Sequence, residues 1–276
     1  MKMKATIYVT VFILFAGFFP DVNPAEKRKN QPTPDRPSVH SFSNITITSI
    51  YDNYKVNKNL KTAWGFASLI QSPEETILFD TGGNAKNLLY NMKRLGIQPE
   101  SIDQVFISHA HRDHVGGLEG FLEKFHNVKV YAPASFDQTF KQMIIEKGAA
   151  LHEVSSSEKI CDFAFSTGEM TGPPTEQSII LNSPRGIIVM TGCAHPGIVK
   201  IVKKAKEIMQ KEYVYLVVGG FHRPPDKVVE EFRKLRVQKV APSHCTGNKI
   251  RKAFKEEYKK DYIEYGVGKS ISIKSE

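Results

Sequence analysis

Four potential metal ligands crowd into six residues of this chain: His109, His111, Asp113 and His114, in the run Ser108-His109-Ala110-His111-Arg112-Asp113-His114-Val115-Gly116-Gly117. They follow the apolar stretch Val105-Phe106-Ile107, and so dense a set of imidazoles and carboxylates cannot serve a hydrophobic core. If strand geometry persists, residues 109 and 111 project alike, while 113 and 114, on the turn that follows, face a second position beside the first. Gly116 and Gly117 permit tight turning and close backbone approach. A structural metal clamp or a solvated loop would account for the imidazoles alone. The strand before them and the glycines after them favour catalytic metal binding.

Three more histidines also follow apolar strands. They are His195 in Thr191-Gly192-Cys193-Ala194-His195, His222 in Gly219-Gly220-Phe221-His222, and His244 in Pro242-Ser243-His244-Cys245-Thr246-Gly247. Asp80 closes a fourth such run, Ile77-Leu78-Phe79-Asp80. Six of the nine histidines thus stand where separate loops can offer ligands, or supports for ligands, from strand ends. His40, His126 and His152 lack that context and read as surface residues.

Outside this pattern the chain is ordinary. Three cysteines, an odd number and few for 276 residues, give no disulfide framework. The formal charge of +9 is dispersed, with clusters at 200–211 and 249–260 on helical periodicity, the expected solvated outer faces. No basic groove with stacking aromatics is visible, so no nucleic acid partner is expected. Lys2 and Lys4 precede an apolar run from Ala5 to Phe19 with a small-residue site at Ala25. Residues 1–25 therefore read as a signal peptide of an exported protein, too short for a stable membrane span, with an N-terminal anchor as the alternative. Residues 26–43, rich in Lys, Arg and Pro, read as a flexible linker, and a single domain is expected over 44–276.

Within that domain short β-branched runs alternate with amphipathic stretches. Strands are predicted at 45–51, 67–70, 76–79, 104–108, 129–131, within 150–165, at 178–181, 186–190, 213–218, 239–241 and 262–264. Helices are predicted at 85–95, closed by Gly96, and at 118–125, 136–146, 198–210, 227–235 and 249–258. Strands in each half followed by helices give an α/β (α+β) fold with two sheets face to face and helices outside.

With these residues in view, the sequence resembles the metallo-β-lactamase superfamily over Ile45 to about Val267. Phe-Asp-Thr-Gly, Ser-His-Ala-His-Arg-Asp-His-Val-Gly-Gly, Thr-Gly-Cys-Ala-His-Pro-Gly, Gly-Gly-Phe-His and His-Cys-Thr-Gly resemble the branch named for the dihydropterin ribofuranosyl-aminobenzene 5′-phosphate synthases. The resemblance implies a four-layer αββα sandwich with one or two divalent ions, usually zinc, at the sheet edges. Carried over by position, it implies His109, His111 and His195 on the first ion, Asp113, His114 and His244 on the second, and Asp80 as the loop's support. It also marks departures. Cys193 stands where most members have a bridging Asp, either as a thiolate ligand or as a buried apolar residue. Pro174-Thr175-Glu176 replaces a Gly-His-Thr loop, and Trp64 replaces a histidine common in the branch.

The expected activity is metal-dependent hydrolysis of a small ester, lactone or phosphoester, with an anionic substrate among the options. Zinc suits the donor set, while iron or manganese would also be accepted. Asp113 is the candidate for orienting water and taking its proton, and His222 for contacting substrate or protonating the leaving group. Arg112 is a candidate for an anionic substrate and Asn53 for a place at the same edge. The alternatives are a metal-binding protein without turnover and a nuclease of the same fold.

Overall fold

The computed structural model describes residues 44–274, so the leader and linker expected over 1–43 lie outside the described residues. A seven-stranded sheet contains β1 (Asn44–Tyr51), β2 (Ala67–Gln71), β3 (Thr76–Phe79), β4 (Gln104–Phe106), β5 (Lys129–Pro133) and β6 (Ala150–Val154). A six-stranded sheet contains β7 (Glu158–Cys161), β8 (Ala164–Ser166), β9 (Ile179–Ser183), β10 (Gly186–Thr191), β11 (Val214–Gly220) and β12 (Val237–Ser243). The last strand, β13 (Ser270–Lys274), returns to the first sheet and pairs antiparallel with β1. The helices are α1 (Ala85–Leu95), α2 (Arg112–Val115), α3 (Leu118–Leu122), α4 (Gln138–Glu146), α5 (Ile198–Met209), α6 (Val228–Lys234) and α7 (Asn248–Tyr258).

Alternation along the strands makes the layers. Ile77 and Phe79 of β3, Phe106 of β4, Ile188 and Met190 of β10, and Leu216 and Val218 of β11 join one core between the sheets. Their neighbours point the other way: Leu78 and Val105 pack with Leu88 and Met92 of α1, Phe121 of α3 and Ile144 of α4. Val189 and Val217 pack with Ile201 and Val202 of α5, Phe232 of α6 and Phe254 of α7. Because both faces are covered, the central strands read as unbroken apolar runs, and the two sheets with their outer helices form the αββα sandwich.

Two expectations are corrected. Tyr262 makes only an isolated parallel bridge with Val240, and no strand forms at 262–264. The strand forms instead at β13, where Ile271 and Ile273 alternate with Ser and Lys and complete the edge beside β1. The helix expected over 118–125 ends at Leu122 as α3.

Strands β3, β4, β5 and β6 run parallel, as do β10, β11 and β12. The residues singled out in the sequence all follow the carboxyl ends of these strands, or of β1, which is where open parallel sheets leave a crevice for ligands. Asp80, Ala194, His222 and His244, at four of those ends, have φ of 55°, 64°, 49° and 47°, a conformation that side-chain-bearing residues rarely adopt. The expected close approach is found at Gly117, where an added methyl group would collide with the carbonyl oxygen of Thr81. Gly117→Ala is expected to cost about 1–3 kcal/mol, read as a lowered urea midpoint, because the backbone on the other side cannot yield as a side chain would.

Candidate metal centre

The loop that carries His109 to His114 is fixed from beneath by one carboxylate. Asp80 Oδ1 accepts the Ser108 amide at 2.7 Å, while Oδ2 accepts Ser108 Oγ–H and His114 Nδ1–H, each at 2.7 Å. Since the single hydroxyl proton of Ser108 goes to Asp80, Ser108 Oγ, 2.9 Å from His109 Nδ1, must accept the imidazole N–H. His109 Nε2 is then a bare acceptor, and it is buried without a hydrogen-bond partner. Burial pushes the Asp80 carboxyl well above its usual range, opposed by the two Ser108 donors.

Asn53 does the same for His244. Its Nδ2 donates to the His244 carbonyl oxygen at 3.2 Å, so its Oδ1 accepts His244 Nδ1–H at 2.9 Å. The Nε2 atoms of His114 and His244 therefore face each other as acceptors at 3.2 Å. Cys193 Sγ lies 3.3 Å from His114 Nε2, and Asp113 Oδ2 lies 3.7 Å from His114 Nε2 and 3.2 Å from His244 Nε2. Four lone-pair donors so close repel unless a proton or a cation stands among them. Donors around a zinc ion at about 2.0–2.3 Å are roughly 3.3–3.7 Å apart in a tetrahedron, so the spacing fits that ion.

Beside this set His109, His111 and His195 form a near-regular triangle, with ring centroids 4.8, 4.6 and 4.8 Å apart. The sulfur of Cys193 falls within 4.8 Å of the donor atoms of His109 and His195 as well as those of His114 and His244. The structure thus gathers His109, His111, Asp113, His114, His195 and His244 at one edge with Cys193 between the two groups. Burial holds His109 well below the usual imidazole range and His114 at about 3, leaving both neutral and ready to ligate. Burial opposes protonation of His244, but its bond to Asp113 and nearby acidic groups raise it. Burial likewise raises the carboxyl of Asp113, but His244 Nε2, which donates to it whenever that imidazole is protonated, outweighs burial and holds Asp113 below the usual carboxylate range.

Glu176 is the residue that sequence reasoning missed. Fully enclosed in the loop before β9, it accepts the amides of Cys193 and Ala194 on Oε1 and that of His195 on Oε2, all at 2.9 Å. Oε2 also accepts His195 Nδ1–H at 2.8 Å, which leaves His195 Nε2 free to face His109 and His111. These donors overcome burial and hold the Glu176 carboxyl below its usual range. Glu176→Gln puts an amide N–H against an N–H, and metal affinity is expected to fall about 10–100-fold in competition with a chromophoric chelator.

His222 is exposed, with its ring 4.4 Å from that of His195. Arg112 is exposed on α2. A cavity of about 180 Å³ opens on His244 and Cys245 and is lined by Tyr54, Trp64, Arg223 and Asn248. The ring of Trp64, 55% exposed, lies 4.9 Å from that of His244.

The sequence model of the metallo-β-lactamase superfamily matches residues 65–244, from just before β2 to His244 itself. The chain belongs to the metallo-β-lactamase superfamily. Among superfamily relatives it is 29% identical, over 86% of its length and 99% of theirs, to a 7,8-dihydropterin-6-methyl-4-(β-D-ribofuranosyl)-aminobenzene-5′-phosphate synthase of Methanocaldococcus jannaschii. It is 30% identical to a ribonuclease Z of Methanococcus aeolicus, over 32% of this chain and 31% of that one. Among solved superfamily structures, Tm1679, described as a metal-dependent hydrolase, superposes with a TM-score of 0.69 at 24% identity over 83% of this chain and 99% of that one.

Proposed function

We propose that the protein is a metal-dependent hydrolase of a small, anionic substrate with an ester, lactone or phosphoester bond. The observation that carries this reading is the convergence of Asp113, His114, Cys193 and His244, whose neighbouring donor atoms lie 3.2 to 3.7 Å apart, a spacing suited to a shared cation. His109, His111 and His195 would hold one divalent ion, zinc first among the options, and Asp113, His114, His244 and Cys193 the other. A divalent ion there supplies the means to lower the pKa of water from about 15.7 to about 7 and to polarise the electrophilic oxygen.

The chain's own side chains do the rest. Asp113, half-buried and ionised, is placed to orient water and hold its proton. His222, exposed beside His195, is placed to meet the leaving group, its pKa raised above the usual imidazole value chiefly by hydrogen bonding to Cys245. Arg223 on the cavity wall and Arg112, exposed on α2, would attract an anion. In this reading the leader-like segment at 1–25 directs export and is then cleaved.

The test is to measure bound zinc, iron and manganese and to assay ester, lactone, phosphomonoester and phosphodiester substrates. Turnover of one class that depends on the ion supports the reading. A metallated protein inert on every class favours binding without turnover. Strong, salt-dependent affinity for RNA would favour the nuclease, an outcome the ribonuclease Z similarity keeps in the panel.

A further inference from the structure

We propose a third cation site, for a thiophilic ion, formed by Cys193, His222 and Cys245. It goes beyond the hydrolase reading, which needs only the two donor sets already described. The three residues follow the ends of β10, β11 and β12, neighbours in one parallel sheet, where Thr191 pairs with Gly219, and Gly220 pairs with Ser243. Each strand contributes one donor, and the three donor atoms all lie within 4.8 Å of one another.

The space for the sulfur is built by an absent side chain. A methyl group added at Gly220 would stand 2.7 Å from Cys245 Sγ, so glycine is what lets the thiol lie beneath the turn. Cys245 Sγ also contacts the Cys193 carbonyl oxygen at 3.6 Å, which draws the two thiol-bearing turns together. His222 completes the set from a left-handed backbone conformation that fixes where its ring emerges.

The donor chemistry differs from that of the neighbouring sets. Two thiols and one imidazole form a soft site, suited to cadmium(II), zinc(II) or copper(I) and unsuited to magnesium or calcium. Asp113 and the imidazole triangle are harder. There is also an entry path: Cys245 lines the cavity beside Trp64 and Arg223, and His222 is exposed. Cys193 belongs to this set and to the centre beside it, so its thiolate would bridge them.

The test titrates the full chain, reduced and stripped of metal, with cadmium(II), reading bound equivalents and the near-ultraviolet sulfur-to-cadmium charge-transfer absorbance. The wild type is expected to bind about three equivalents, with added thiolate absorbance in the step that fills this site. His222→Ala and Cys245→Ser should each keep two equivalents and lose one, with that part of the absorbance. The exposed His222 variant carries the test if the buried Cys245 variant does not fold. Fewer than three equivalents in the wild type, or a third that survives both variants, overturns the proposal. Hydrolysis is assayed separately on the wild type with two equivalents loaded, so that His222 stays free for the leaving group and failure of one reading is distinguishable from failure of the other.

Discussion

Asp113→Asn is expected to lower turnover by about 10²–10⁴-fold while the fold persists. Asp113 is the only carboxylate with an oxygen within 4 Å of both His114 and His244 among the described residues. It is half-buried, and its approach to His244 holds the carboxyl below its usual range against the cost of burial. The amide keeps the shape and one acceptor oxygen, but it loses the charge that offsets a dication and the basicity that takes a proton from water. The loss should fall on kcat more than on KM, since Arg223 and the rest of the cavity wall are untouched. Metal analysis of the variant separates the two roles: reduced content means Asp113 holds the ion, and full content means it handles the proton. Turnover within about threefold of wild type would remove Asp113 from the reaction.

Stripping the metal should lower the melting temperature by about 8–16 °C. An ion present at about 1,000 times its dissociation constant stabilises the folded state by about 4 kcal/mol, and a domain of this size shifts roughly 2–4 °C per kcal/mol. The stripped protein should also fail sooner in acid. His114 has a folded pKa of about 3 against 6.5 for the free imidazole, because burial disfavours its charged form. Below 6.5 the unfolded chain binds a proton that the folded chain refuses, so this contribution is complete above pH 6.5 and is lost as pH falls towards 3. Calorimetry of the loaded and stripped proteins between those limits checks both statements. A melting temperature indifferent to a chelator would show that the buried donors hold no ion in solution.

Much of this was legible in the residues. The bounds of β3 and α1 match the expected ones because Ile77 and Phe79 alternate with outward Leu78, and Gly96, at φ 72°, ends the helix. The strand-end histidines were legible because imidazoles after apolar runs have no other physical reason to be there. Two things were not. Tyr262-Ile263-Glu264 looks like a strand locally, yet β-structure needs a partner, and the partner edge at β1 is taken by Ser270–Lys274. Glu176 gives no local sign, since a glutamate after two prolines reads as solvated. Its three amide donors and one imidazole come from the loop after β10, on a turn that only the closed sandwich brings over it. The one hint was negative: a histidine expected there by resemblance was missing.

Asp80 has a consequence for how such a centre can change. Its carboxyl steadies His114 directly and His109 through Ser108, and these imidazoles belong to different cation positions. The affinities of the two positions are thereby tied to one anchor, and a descendant of this protein could not shed one ion by altering Asp80 without loosening its grip on the other. Glu176, by contrast, hydrogen-bonds a single imidazole, His195, so a change there weighs first on the position that His195 serves.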